Sequence, residues 1–353
     1  DFLHNTLPPM QLNAYWNGPT ERNDWSAKKQ KKNLDLTNIN YESILTTILS
    51  APNISSKESL VRRYDHEVQC ATHIKPFVGT TEQGPSDSGV VWLYPHGGSK
   101  DNAISIGCGL NPRLSLYDPY IMAQASVDEA IRNVVVTGGD LEYLCLLDNF
   151  CWPDPLVDSK TERGDYKLGQ LVRACQGLSD ICSDYSTPLV SGKDSMKNDY
   201  SGKSYDNQNI KISIQPTLLV TAMSKCNINH TVTSDYKNAG DLIYLIGKNS
   251  LGLFASELLE HFELNSIETS FPPAIDTSIN YQLYKQYHKA IKSNLIKSAH
   301  DISDGGLSVA LCESMIGGDF GANINLSMEQ NNLINLLFGE ATGRFLISID
   351  KNN

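Results

Sequence analysis

The chain has 353 residues, 40% hydrophobic and 20% charged, which is the usage of a folded globular protein and excludes a fibrous or disordered one; its length exceeds one typical domain. A formal charge of −11 speaks against nucleic acid as a partner, because phosphate-backbone binding is built on clustered Lys and Arg. No apolar run approaches the roughly 20 residues of a membrane span and no signal-peptide core opens the sequence, so no membrane partner is expected and the chain reads as cytoplasmic.

Residues 1 to about 35 read as irregular, with Pro8-Pro9, Asn17-Gly18-Pro19 and the basic run Lys28-Lys29-Gln30-Lys31-Lys32, which lacks interleaved aromatics and reads as a solvated linker. Residues 41–49 have helical apolar spacing, and Ser55-Ser56-Lys57-Glu58 resembles a cap before a second short helix. Residues 1–60 are thus expected to form a linker or arm with short helices. From about residue 68 the pattern changes to strands at 89–94 and 103–106, a long helix from Asp118-Pro119, a helix over 167–184, and strands at 188–190 and 210–223. These make residues 61–235 an α+β lobe rich in sheet. The turn Lys237-Asn238-Ala239-Gly240-Asp241 and the apolar run Leu242 to Gly247 open a second lobe, 236–353, with helices at 280–293 and 306–316 and a strand at 344–349. That lobe is expected to be incomplete and the chain a piece of a longer polypeptide. Eight cysteines without a CxxC pair read as reduced, mostly buried thiols.

Four polar clusters carry chemistry. On a helix at about 100° per residue, Glu129 and Asn133 share a face with Ser126, opposite the apolar Ala123, Val127, Ala130, Ile131 and Val134. Asp87, in Gly84-Pro85-Ser86-Asp87-Ser88-Gly89, is expected at the mouth of a strand where a metal can approach from solvent; a hairpin turn with Asp as turn former is the other reading. Gly192-Lys193-Asp194-Ser195 follows an apolar strand and offers amides, an ammonium and a carboxylate, without the GxxxxGK[ST] frame of a P-loop. In His300-Asp301-Ile302-Ser303-Asp304-Gly305-Gly306, three polar oxygens precede a helix whose N-terminus could face an anion, although N-capping by Ser303 or Asp304 accounts for part of the pattern. Gathering Asp87, Glu129 and Asp301 would concentrate about three negative charges. Mg²⁺ would neutralise them, since it takes oxygen ligands and bridges carboxylates to phosphates.

In order, the segments Tyr64-Asp65-His66-Glu67-Val68-Gln69, Gly84 to Asp87, Val127 to Asn133, Leu147-Asp148-Asn149-Phe150-Cys151-Trp152-Pro153, Ser191 to Met196 and His300 to Gly306 resemble the phosphoribosylformylglycinamidine synthase family, specifically its second half, over about residues 60–349. The resemblance implies an α+β, aminoimidazole ribonucleotide synthetase-like fold: an N-terminal lobe with a dimerising β-sheet and a C-terminal α/β lobe. It implies an ATP- and glutamine-dependent carbon–nitrogen ligase acting on formylglycinamide ribonucleotide. It also implies Mg²⁺ at Asp87, Glu129, Asn133 and Asp301, and an ATP or ADP contacted by Ser86, Ser303 and Lys193. The family's first half carries a His-Asn-His-Pro-type segment where this chain reads Gly84-Pro85-Ser86-Asp87, and no glutaminase nucleophile elbow is found. An auxiliary nucleotide site without catalytic residues is therefore expected. Its partners would be the first half of the same enzyme, a glutaminase domain or subunit, or a second copy of this chain. A stand-alone ATP-dependent enzyme of the same superfamily and a non-enzymatic nucleotide-binding scaffold are the competing readings.

Overall fold

A computed structural model describes residues 11–19, 32–34, 38–65, 67, 69–157, 163–249, 252–264, 272, 274–326 and 330–352. Most of the basic run, residues 28–31, and His66 and Val68 lie outside the described residues. The first elements are β1 (Lys32–Leu34), α1 (Tyr41–Leu49), α2 (Glu58–Val61), β2 (Thr72–Ile74), β3 (Phe77–Val78), β4 (Gly84–Pro85), β5 (Ser88–Trp92) and β6 (Asn102–Leu110). There follow α3 (Pro119–Val136), β7 (Leu144–Cys151), α4 (Gly164–Asp184), β8 (Leu189–Ser195), the hairpin β9 (Asp199–Lys203) and β10 (Asn209–Ser213), and β11 (Thr217–Asn227). A six-stranded sheet runs in the order β2-β5-β6-β11-β7-β8. Its pairs are antiparallel except β7–β8, which α4 connects as a parallel crossover.

Alternation decides which face is covered. Along β11 every second residue, Leu218, Val220 and Ala222 among them, is buried, and these pack with Leu146, Phe150 and the inner faces of α3 and α4. The opposite face stays open, exposing Val91, Ile106 and Leu110. Helix α3 starts where Asp118 caps the Tyr120 amide and Pro119 fixes the first turn. It presses so closely on β6 that only glycine fits beneath it. A Cβ on Gly109 would meet the Ala130 amide nitrogen at 2.6 Å and Glu129 Cβ at 3.0 Å.

The second lobe contains β12 (Leu242–Ile246), α5 (Glu257–His261), β13 (Phe262–Leu264), α6 (Thr277–Lys292), β14 (Ile296–Asp301), α7 (Gly306–Gly318), α8 (Gln330–Phe338) and β15 (Phe345–Ile349). Its three-stranded antiparallel sheet has the order β12-β15-β14. Tyr284, Tyr287 and Phe345 join the core beneath α3, so one hydrophobic cluster spans both lobes. Described segments within residues 1–60 pack on the rest of the chain. β1 pairs in parallel with β13, and Ile44 and Ile48 of α1 sit in a core with Leu258, Val309 and Phe338. The irregular segment 11–19 lies against α4, with Trp16 stacked on Tyr166 at 5.4 Å.

Several expectations are corrected. The strand expected at 210–223 is two strands, β10 and β11, broken at Gln215-Pro216, where proline removes a ladder donor. Gly192 to Ser195 lie within β8 rather than after a strand. Strand β14, which delivers Asp301, has only short apolar stretches to announce it. All eight cysteines are unpaired, yet only Cys226 is buried, because Cys70, Cys108 and Cys175 fall on exposed positions.

Candidate functional site

The close approach enforced by glycine brings α3 against the loop before β5. The point a Cβ on Gly107 would occupy lies 3.0 Å from Asn133 Cβ and 3.4 Å from the Asp87 carbonyl oxygen. Asp87 is not open to solvent as expected: its side chain is 5% exposed. Its Oδ1 lies 2.8 Å from His300 Nδ1 and accepts the Asp301 amide at 3.4 Å. The other ring nitrogen of His300 is 3.0 Å from Glu313 Oε2. Burial alone would lower the pKa of this imidazole, but the two carboxylates outweigh it and hold the ring charged well above its ordinary range. Asn133 donates its Nδ2 to the Cys108 carbonyl at 2.7 Å. Among the described residues Asp87 Oδ2 and Asn133 Oδ1 are buried acceptors without a partner, and such groups are costly unless something satisfies them.

Asp301 is brought to the same place but is already engaged. Arg132 reaches it through Nε and, at 3.2 Å, Nη2, and reaches Asp128 through Nη1. Asp128 also accepts from Tyr185 at 2.5 Å, Asn280 at 3.1 Å and the Gly343 amide at 3.2 Å. The gathered negative charge is thus compensated by Arg132 and His300, and charge balance does not by itself demand a metal. Among the described residues no three His, Cys, Asp or Glu side chains are arranged as a metal-holding group. Asp87 Oδ2 and Asn133 Oδ1 are two of the buried side-chain atoms left without a partner among the described residues, one from a carboxylate and one from an amide.

Glu129 borders the same cluster. Its Oε2 accepts from the Leu110 amide and from Asn111 Nδ2, both at 2.7 Å, and burial with the nearby Asp301 charge pushes its carboxyl up to about 8. Beyond it Arg113 binds Glu257 at 2.5 Å, Asp304 at 2.6 Å and Glu340 at 3.1 Å. Glu340 Oε1 accepts the Gly305 amide at 2.7 Å, at the start of α7. The expected capping by Ser303 or Asp304 does not occur. The cap position is Gly305, at φ 80°, with no side-chain cap, and Asp304 turns away to Arg113 and to Asn53 Nδ2, 2.7 Å distant. Ser303 is half-buried beside it and its carbonyl accepts the Gly306 amide at 3.0 Å.

Two further residues face elsewhere. Ser86 Oγ donates to the Ser88 carbonyl at 2.8 Å, within its own turn. Lys193 is exposed on the outer strand β8, in register with Asn149; four strand steps separate β8 from β5, about 19 Å at the usual spacing. Arg132 could have been found as a charge partner from its place four residues after Asp128, whereas His300 pairs with the distant Asp87 and with Glu313. Glu340 and Arg113 had no such signal, since only tertiary folding brings residues 113, 305 and 340 together.

The AIR synthase related protein N-terminal domain matches residues 85–215 and the AIR synthase related protein C-terminal domain residues 238–353. The chain belongs to the AIR synthase related family. Within it the chain resembles subunit PurL of phosphoribosylformylglycinamidine synthase. The Prochlorococcus marinus (strain AS9601) subunit is 33% identical over 367 residues, covering 99% of this chain and 43% of the relative. The Nostoc sp. subunit is 32% identical over 327 residues, covering 88% of this chain and 39% of the relative. The chain therefore spans less than half the length of these curated relatives. Thermotoga maritima PurL complexed with FGAR matches with a TM-score of 0.58 at 17% identity, over 89% of this chain and 46% of that one. The same organism's PurL complexed with ATP matches with a TM-score of 0.57 at 16% identity, over 88% and 44%. At these identities the likeness is one of fold, and it is the α+β, aminoimidazole ribonucleotide synthetase-like fold expected from the sequence.

Proposed function

We propose that the chain is the second-half portion of a phosphoribosylformylglycinamidine synthase, the ligase of purine biosynthesis that uses ATP and glutamine-derived ammonia to convert formylglycinamide ribonucleotide to its amidine, and that it carries an auxiliary Mg²⁺–nucleotide site. The observation that carries the site is the pair of buried orphan acceptors, Asp87 Oδ2 and Asn133 Oδ1. They suit a hard cation that completes its shell with water and phosphate oxygens. Asp87 and Asn133 would hold Mg²⁺, with Glu129 and Asp301 at its border, and the ion would neutralise phosphate charge. The chain's own part is to hold these oxygens fixed: His300 orients Asp87, the Cys108 carbonyl orients Asn133, and Arg132 orients Asp301. Ser303, beside the N-terminus of α7, would contact phosphate, and Ser86 the nucleotide; Lys193 would serve only a ligand that also reaches β8. The lobes are assigned to 61–235 and 236–353 with residues 1–60 as the arm, and the location is cytoplasmic.

The open face of the six-stranded sheet, with Val91, Ile106 and Leu110 exposed, supports pairing with the first half of the enzyme or with a second copy, and relatives named as subunits support a separate or fused glutaminase partner. The bound nucleotide, ATP or ADP, stabilises the folded chain by binding only the native state. Denaturing the purified chain, chromatographing any released nucleotide and counting magnesium tests this. Near-stoichiometric adenine nucleotide with Mg²⁺ is expected; a chain that is empty and takes up no Mg·ATP overturns the site. Restoration of synthase activity on mixing with the first half and a glutaminase tests the parentage separately.

A further inference from the structure

His300 stands between two carboxylates from distant parts of the chain. Its Nδ1 lies 2.8 Å from Oδ1 of Asp87, in the turn between β4 and β5, and its Nε2 lies 3.0 Å from Oε2 of Glu313, on α7. An ionised carboxylate only accepts hydrogen bonds, so both ring nitrogens carry a proton and donate it. The second torsion of a histidine side chain is soft, and a ring tied through one nitrogen can still swing about it; tied through both, it cannot. With 7% of its side chain exposed, His300 meets little water that could replace either partner.

The placement of Glu313 follows from a close approach of α7 to the segment before Asp87. A Cβ on Gly84 would sit 2.8 Å from Gly317 Cα, a distance that only glycine avoids, and the Thr80 amide donates to the Gly317 carbonyl at 3.1 Å. Residues four apart lie above one another on a helix, so the contact that fastens residues 79–84 to Gly317 sets Glu313, one turn earlier, on the same side of α7 and within reach of β14. Asp87 has a weaker second anchor, the Asp301 amide at 3.4 Å. The direction of its carboxylate is therefore set mainly by His300, which engages Oδ1 and leaves Oδ2 as the oxygen without a partner among the described residues.

We propose that Glu313 is a positioning residue for the cation site: it holds His300, and His300 in turn holds Oδ1 of Asp87, so that Oδ2 is the oxygen left for Mg²⁺. The inference rests on the Mg²⁺–nucleotide reading above. Partners that orient a metal-binding side chain from behind are worth about 10–100-fold in metal affinity.

Equilibrium dialysis of Mg²⁺ at saturating ATP, on the full chain, is expected to show uptake weakened about 10–100-fold in Glu313→Ala. In Glu313→Gln the amide oxygen still accepts from Nε2, and most of the affinity should return. Glu313 is 25% exposed and borders a cavity of about 630 Å³, so its truncation leaves no sealed void, and urea midpoints of both variants verify the fold. The ring itself gives a readout that needs no metal: in nitrogen-15 NMR spectra without Mg²⁺, His300 should carry a proton on both nitrogens in the wild type and lose the Nε2 proton to exchange in Glu313→Ala. Unchanged Mg²⁺ uptake in Glu313→Ala, equal weakening in the Ala and Gln variants, or a ring that keeps both protons in Glu313→Ala overturns the role of Glu313 alone. Wild-type chain that takes up no Mg²⁺ overturns the site reading itself, and the inference with it.

Discussion

Arg132 on α3 and Asp301 at the end of β14, 169 residues apart, are joined inside the protein by two hydrogen bonds from one guanidinium to one carboxylate. Arg132 lies in the region matched by the N-terminal family domain and Asp301 in that matched by the C-terminal one, so this pair fastens the lobes and at the same time fixes one wall of the candidate site. Burial opposes the charge on Arg132, yet Asp301 and Asp128 keep it protonated. Arg132→Ala would leave both carboxylates buried without their cation. A loss of about 3–5 kcal/mol is expected, read from the urea midpoint; a loss under about 1 kcal/mol, the size of a surface ion pair, would mean that the lobes are held by packing alone.

Gly109→Ala tests how closely α3 must lie on β6. The added methyl would press on the Ala130 amide and Glu129 Cβ, where backbone cannot give way as a flexible side chain would. Destabilisation of about 1–3 kcal/mol is expected from such overpacking, together with weaker Mg²⁺ uptake, because Glu129 and Asn133 would move with the helix. An alanine variant with wild-type melting temperature would contradict the tight contact.

Glu340 gives a pH dependence with a definite sign. Burial raises its carboxyl to about 8 from an ordinary 4.5, with Asp304 adding to the rise and Arg113 opposing it. The folded state thus holds a proton that the unfolded chain releases. Its contribution to stability is full below pH 4.5, declines as pH rises, and is gone above about 8. In Glu340→Gln the amide oxygen still accepts from Gly305 and Glu257, but the titration is removed. Across this window the fall of unfolding free energy with pH should become shallower by up to about 1.4 kcal/mol per pH unit. An unchanged slope would mean that Glu340 ionises normally.

The sequence showed α3 and its Glu129–Asn133 face because helical spacing and a Pro-containing cap are local signals. It could not show that Asp87 would be sealed by His300, since those residues are brought together by the packing of β14 and α7 against the loop before β5. Nor could it separate Lys193 from the cluster: Gly192-Lys193-Asp194 looks like a loop in one dimension, and only strand order puts it at the far edge of the sheet. The glycines at 107 and 109 acquire meaning only once a helix lies over them. Segment 11–19 likewise read as irregular because its anchor, the stacking of Trp16 on Tyr166, is tertiary.

That anchoring is itself testable. Trp16 stacks on Tyr166 and lies 5.6 Å from the Arg173 guanidinium, contacts worth about 0.5–1.5 kcal/mol for the ring pair and about 0.5–1 for the cation. Trp16→Ala should speed limited proteolysis within residues 11–19 several-fold while leaving the global melting temperature nearly unchanged. Equal cleavage rates would show that the segment is held by its backbone alone.

In the proposed Mg²⁺–nucleotide site, Asp87 and Asn133 would offer their unpartnered oxygens to a cation when nucleotide is bound. Equilibrium dialysis of Mg²⁺ with saturating ATP, on wild-type chain and Asn133→Ala, addresses it directly. We expect close to one Mg²⁺ per chain in the wild type and at least tenfold weaker uptake in the variant, with both proteins unfolding at similar urea concentrations. Equal uptake by the two, or none by the wild type, would contradict the account.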